Sequence, residues 1–186
     1  MQMKARKIKG VFEIAYKTFS DERGFMAKLF DERSYAEAGI VRPWKQILHS
    51  HTTHANTVRG LYVQREPYTE GKLVIPCIGS FFWAVVDLRK GSDTFGQWDG
   101  VVMTAESGTA LYIERGFAHG FLSLSDNVDV LLAADNGHSD EHSLGIAWND
   151  PELSVQWPLL NSSPLISATH ARYPSFAAFR ETYGGI

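Results

Sequence analysis

The sequence predicts an all-β fold, an antiparallel sandwich or barrel with a few short helices. Three observations predict it. Runs rich in Val, Ile and Phe occupy the middle of the chain, clusters of Gly with Ser, Asp or Asn separate them, and helical spacing is confined to two short stretches. A chain of 186 residues that is 44% apolar is sized for one domain with a sizeable core and extra arms.

Taken in order, "DERSYAEAG" (31–39) predicts a short helix that ends at Gly39. "TVRGLYVQREPYTEGKLV" (57–74) reads as two strands joined by a polar turn. "KLVIPCIGSFFWAVVDLR" (72–89) is strand-like throughout, with a turn at Gly79-Ser80, and Cys77 reads as a small buried hydrophobe. "GQWDGVVMTAE" and "TALYIERGFAHGFLSLS" continue the pattern. The punctuating clusters are Gly91-Ser92-Asp93, Glu106-Ser107-Gly108, Ser125-Asp126-Asn127 and Asn136-Gly137. Near the C-terminus Ser175 caps "FAAFRETY". Phe176, Phe179 and Tyr183 fall at i, i+3 and i+7, and Gly184 stops the helix. No linker divides the chain, so residues 1–186 are expected to form a single domain with an N-terminal arm and a C-terminal helical segment.

Composition narrows the function. The net charge is −3, and no Lys/Arg block of the kind that tracks nucleic acid is present. No window approaches the roughly 18 apolar residues of a membrane span. "MQMKARKIKG" is basic, but no apolar stretch of signal length follows it. A lone cysteine allows no intrachain disulfide. A cytoplasmic setting is expected.

Three groups of residues are candidates for chemistry. Arg23, Arg59 and Lys72 are cations without enough neighbouring carboxylates to cancel them all; they suit an anionic ligand such as a diphosphate, or are solvated surface charges. "HSHTTH" brings His49, His51 and His54 together, and His49 and His51 share a strand face; with His119 they would make a metal site, or they sit in a polar loop. His119, in the glycine-flanked run "GFAHGF", either lines a site or is a satisfied core histidine. Trp83, Trp98, Trp148 and Trp157 read as core or interface residues, of which one or two could stack on a base or sugar.

"FSDERGF", "VRGLYVQ", "GKLV", "VVDLRKGSDTFGQW", "GFAHGF", "LGIAWNDPEL" and "VQWP" occur in this order. Together, over about residues 10–158, they resemble the dTDP-4-dehydrorhamnose 3,5-epimerase family of cupins. The resemblance implies a jelly-roll barrel, a homodimer with exchanged N-terminal strands, a dTDP-sugar ligand, and neither metal nor cofactor. It implies proton abstraction at C3 and C5 of a 4-keto sugar through an enolate. Arg59 and Lys72 match the family's pocket cations, Arg23 the residue that reaches the diphosphate across the dimer, and His119 the pocket histidine. Gln46 matches the nucleotide-binding glutamine, with a one-residue insertion after it.

Three positions depart from the family pattern. Tyr62 stands where the family has its catalytic histidine, Leu132 where it has its tyrosine acid, and Thr169, followed by His170, where an aspartate orients the base. Gly137 and His138 replace an aromatic pair. A phenol titrates near about 10 and an imidazole near about 6.5, so Tyr62 is a poor base at neutral pH unless cations lower it. Two readings follow: an epimerase or isomerase whose chemistry is altered, with Tyr62, His119, Lys72 and His170 as proton-transfer candidates, or an inactive homologue that binds a sugar nucleotide or a partner enzyme. A metal-dependent cupin using His49, His51 and His119 is the third.

Overall fold

The computed structural model describes residues 2–161 and 163–186. In chain order the elements are β1 (Gln2–Ala5), β2 (Val11–Ala15), β3 (Lys17–Asp21), β4 (Gly24–Lys28), α1 (Glu32–Glu37), β5 (Gln46–Thr52), β6 (Thr57–Gln64), β7 (Lys72–Ile78), β8 (Ser80–Asp87) and β9 (Trp98–Thr104). β10 (Thr109–Ile113), β11 (Phe117–Ser123), β12 (Val128–Ala134), β13 (Ser143–Gly145), β14 (Leu165–Ile166) and α2 (Phe176–Tyr183) follow. Both helices are capped as expected. Asp31 accepts from the Ser34 N–H, Ser175 accepts from the Ala178 N–H, and Gly184 adopts the left-handed conformation at φ 67°.

Two sheets face each other across the core as a cupin-type β-sandwich. One runs β1-β2-β10-β7-β12-β5, the other β13-β6-β11-β8-β9, with β14 added parallel to β6. Period-two alternation sorts the side chains. From β8, Phe81, Trp83 and Val85 enter the barrel, where they meet Val74, Phe121 and Leu132. Phe82, Ala84 and Val86 point the other way and are covered by Phe176 and Phe179 of α2. A third layer outside the first sheet packs Leu73, Ile75 and Tyr112 against Tyr35 of α1 and Ile40. The strands are therefore buried on both faces, which explains their near-continuous apolar sequence.

Residues 57–74 and 72–89 form the expected strands, and these alternate between the sheets: β6 and β8 lie in one and β7 in the other. Gly79 turns the corner at φ 75°, where a Cβ would lie 2.7 Å from Ser125 Oγ. Cys77 is exposed rather than buried. Val130 pairs with Pro76 and Asp129 with Ile78, so Cys77 is an extra, unopposed residue. By alternation Cys77 shares the outer face with Leu73 and Ile75, and it lies at the end of β7, where the strand is exposed.

Lys17–Lys28 forms a separate two-stranded arm, β3 with β4, which pairs with no other strand. Its Phe19, Phe25 and Met26 are exposed. No helix among the described residues is long and apolar enough to cross a membrane.

Candidate active site

One end of the barrel opens into a cleft of about 320 Å³ lined by Gln46, Leu48, Tyr62, Gln64, Glu70, Lys72, Leu132, His138, Ser143, His170 and Tyr173. Its shape depends on an irregularity in β6. His119 pairs with Tyr62 but Phe121 with Arg59, so at this one place three steps along β6 span two along β11. Regular alternation would place Arg59 and Tyr62 on opposite faces. With one extra residue, Val58 and Leu61 both point to the outer layer and leave Arg59 and Tyr62 on the other face. Gly60 makes this possible: its φ is 95°, and a Cβ there would lie 2.6 Å from the His119 carbonyl.

The same bulge places His170. β14 runs parallel to β6, with Leu165 opposite Thr57 and Ile166 opposite Val58. The following turn, His170–Arg172, is thereby carried alongside the bulge. There the Gly60 N–H donates to His170 Nδ1 at 3.3 Å. The His170 ring lies 6.1 Å from that of Tyr62 and 5.2 Å from that of Tyr173. A nitrogen that accepts a backbone N–H carries no proton, so neutral His170 is protonated at Nε2. Burial, helped by the Arg59 charge, lowers its pKa and favours that neutral form.

Lys72 lies at the floor, inside the barrel by the same alternation that turns Leu73 and Ile75 outward. Its side chain is 7% exposed, and its ammonium lies 2.5 Å from Glu70 Oε1 and 3.2 Å from His119 Nε2. Against an ammonium, that imidazole nitrogen can only accept. His119 is stacked on Trp83 at 5.6 Å and meets the Tyr62 ring edge-on at 4.6 Å. Burial first, then the Lys72 charge, pushes its pKa well below the ordinary value, so it is neutral. The backbone between Glu70 and Lys72 is held by Asp135, a buried carboxylate that accepts the Gly71 N–H at 2.7 Å and also binds Arg115.

The Tyr62 phenol carries its proton at neutral pH. Burial and then the Glu70 charge raise the phenol to about 12, and the opposing Arg59 charge does not offset them. Leu132 closes the apolar wall.

Of the residues singled out from sequence, Gln46, Tyr62, Lys72 and His170 line the cleft, and His119 backs it. Gln46 uses its side-chain N–H on the Asn136 carbonyl. Arg59 stands to one side, donating to Thr52 Oγ1 and the His51 carbonyl. Arg23 is not in the cleft; it sits on the exposed arm, paired with Asp21. Two of the three cations thus do have carboxylate partners, Asp21 for Arg23 and Glu70 for Lys72. Glu70 escaped notice, although a residue two before Lys72 in extended chain shares its face. Tyr173 and Gln64 were also missed, and no short motif marks either. None of the four tryptophans lines the cleft. His49 and His51 both bond Asp129 on the exposed strand β5, whereas His119 is inside the barrel. Among the described residues no three His, Cys, Asp or Glu side chains are grouped to hold a metal ion.

A sequence profile described as dTDP-4-dehydrorhamnose 3,5-epimerase matches residues 5–178 of the chain. The chain belongs to the dTDP-4-dehydrorhamnose 3,5-epimerase family. A family member from Shigella flexneri, a dTDP-4-dehydrorhamnose 3,5-epimerase, is 42% identical over 152 residues, 81% of this chain and 82% of its own. Among solved members, an epimerase from Mycobacterium tuberculosis superposes with a TM-score of 0.92 at 32% identity, covering 98% of this chain and 92% of that one. The Legionella pneumophila member, solved with dTDP-4-keto-L-rhamnose, gives 0.89 at 34% identity over 94% of this chain and 92% of its own.

Proposed function

We propose that this chain binds a dTDP-4-keto-6-deoxy sugar in the Tyr62–Lys72 cleft and moves a proton beside its ketone, using a proton-transfer set altered from the family's. The observation that carries this reading is the Lys72 ammonium, buried at the cleft floor between Glu70 and His119. A proton next to a ketone becomes acidic only when the enolate oxygen is stabilised, and a fixed cation in a low-dielectric site is suited to that. Tyr62 and the Nε2–H of His170 add neutral donors. His119 takes part through Lys72, whose ammonium it holds in place. Gln46 and Arg59 face the nucleotide side of the ligand. No metal or organic cofactor enters this reading.

The proposal includes a homodimer in the cytoplasm, each chain a single domain that lends its arm, with Arg23, to the other's cleft. β5 pairs only with β12 and leaves an edge free with Ile47 exposed, and the arm carries Phe25 at 76% exposure. Free edges and exposed apolar rings of this kind are usually covered.

The test is proton NMR of dTDP-4-keto-6-deoxyglucose with the protein in D₂O. Protein-dependent loss of the C3 or C5 proton signal supports proton transfer. Line broadening without exchange identifies an inactive member that retains binding, the reading favoured by Leu132, which can neither give nor take a proton. Sharp, unchanged signals at saturating protein refute both.

A further inference from the structure

We infer that Glu70 is the base that removes the proton beside the ketone; this rests on the reading above that a 4-keto sugar occupies the cleft. The step needs an acceptor that faces the ligand at neutral pH. Tyr62 and Tyr173 keep their protons, since burial raises both phenols. His170 has its free nitrogen protonated, because Nδ1 takes the Gly60 N–H. His119 spends Nε2 on Lys72 and stands behind the wall. His138, at the mouth, is tied to Asp140. Among the described lining residues that leaves Glu70, whose side chain is only 10% exposed.

The setting of Glu70 differs from that of the chain's other buried carboxylates. Asp87, Asp99, Asp135 and Asp150 each accept a backbone N–H and further bonds. Glu70 has one partner on one oxygen, Lys72 at 2.5 Å on Oε1. The only sealed side-chain polar atom without a partner among the described residues is Trp83 Nε1. Glu70 Oε2 is therefore not sealed, and the residue lines the cleft. Lys72 fixes the carboxylate by its other oxygen and stands ready for the negative charge that the reaction creates.

In the step, Oε2 takes the proton and the C–H electron pair becomes the enolate double bond. The carbonyl π pair moves to oxygen, beside the Lys72 ammonium. The Glu70 carboxyl then exchanges its proton with water, and return of that solvent-derived proton to the same carbon restores the ketone and leaves solvent hydrogen at that position. Inversion requires the proton to come from the opposite face, and the neutral Tyr62 phenol is the donor for it.

The experiment compares wild type, Glu70→Gln and Glu70→Asp. Calorimetry with dTDP reads binding, and exchange from dTDP-4-keto-6-deoxyglucose in D₂O reads chemistry. Glu70→Gln is expected to bind dTDP within about threefold of wild type while its exchange rate at saturation falls about 10²–10⁴-fold. Glu70→Asp is expected to lie between. Exchange by Glu70→Gln within about fivefold of wild type overturns the inference. Wild type that binds dTDP but exchanges nothing also overturns it and leaves the ligand reading standing; wild type that does neither sinks both. If Glu70→Gln does not fold, Glu70→Ala with added formate replaces it: restored exchange supports a base at this position, and no restoration refutes it.

Discussion

Two buried ionic clusters in this molecule are built in opposite ways. The carboxylate of Asp87, with no exposed side-chain surface, accepts from the Arg89 N–H and guanidinium and from the hydroxyls of Ser92 and Thr94. All its donors come from one short stretch of chain. The cluster around Lys72 draws on β6, β7, β11 and the turn after β14, and it leaves Glu70 Oε2 and the Tyr62 hydroxyl without protein partners. Charge buried for stability is closed by nearby donors, whereas charge held for a ligand keeps bonding capacity open. Burial alone would raise the Asp87 pKa, but the Arg89, Thr94 and Ser92 bonds outweigh it and hold the carboxyl at about 2.

Four variants test the contrast. The largest effect is expected from Asp87→Ala, which strands Arg89, Ser92 and Thr94 and is predicted to cost about 3–5 kcal/mol in urea unfolding. The same site has a pH signature. The folded pKa of Asp87 is depressed from 3.8 to about 2, so its contribution is complete above the unfolded value and is lost as pH falls through the folded one. Wild type should therefore lose about 2 kcal/mol relative to Asp87→Asn between about pH 4 and pH 2. Equal acid slopes for the two proteins would remove Asp87 from the account. Gly60→Ala comes next, at about 1–3 kcal/mol, because alanine is strained at φ 95° and its Cβ meets the His119 carbonyl. It should also weaken dTDP binding, since the bulge is what turns Arg59 and Tyr62 to one side. Unchanged binding with lowered stability would separate the two consequences. The smallest change in stability is expected from the double variant Glu70→Gln/Lys72→Met, within about 1 kcal/mol of wild type, because neutralising both members leaves no stranded charge. A loss as large as that of Asp87→Ala would show that the cleft cluster is a structural device after all.

Much of the fold was legible in the residues themselves. Asp31 and Ser175 mark helix starts because a short side-chain oxygen satisfies a free N–H at that position, a purely local effect. The strand runs of the middle were equally plain. Which strands pair was not legible, because a strand buried on both faces carries no alternation to assign it to a sheet. That β6 and β8 share one sheet while β7 lies in the other was settled only by the tertiary structure. Cys77 was misread because an apolar run does not show where the covering outer layer ends: Leu73 and Ile75 on the same face are buried, and Cys77 at the end of β7 is not.

At the site, the identities of Tyr62, Lys72, His119 and Gln46 came from residue types and motifs, which local chemistry and family resemblance suffice to pick out. Glu70 and Tyr173 did not, nor did the separation of Arg23 from the cleft. The sequence by itself determined an all-β chain with capped helices, its cations and a tyrosine at position 62. Only the tertiary structure decided that Arg59 and Tyr62 share a face, that Gly60 bonds His170, and that Glu70 holds Lys72 at the floor. The reason is physical: caps and propensities act over a few residues along the chain, whereas these contacts depend on a one-residue bulge and on strands brought together from far along it.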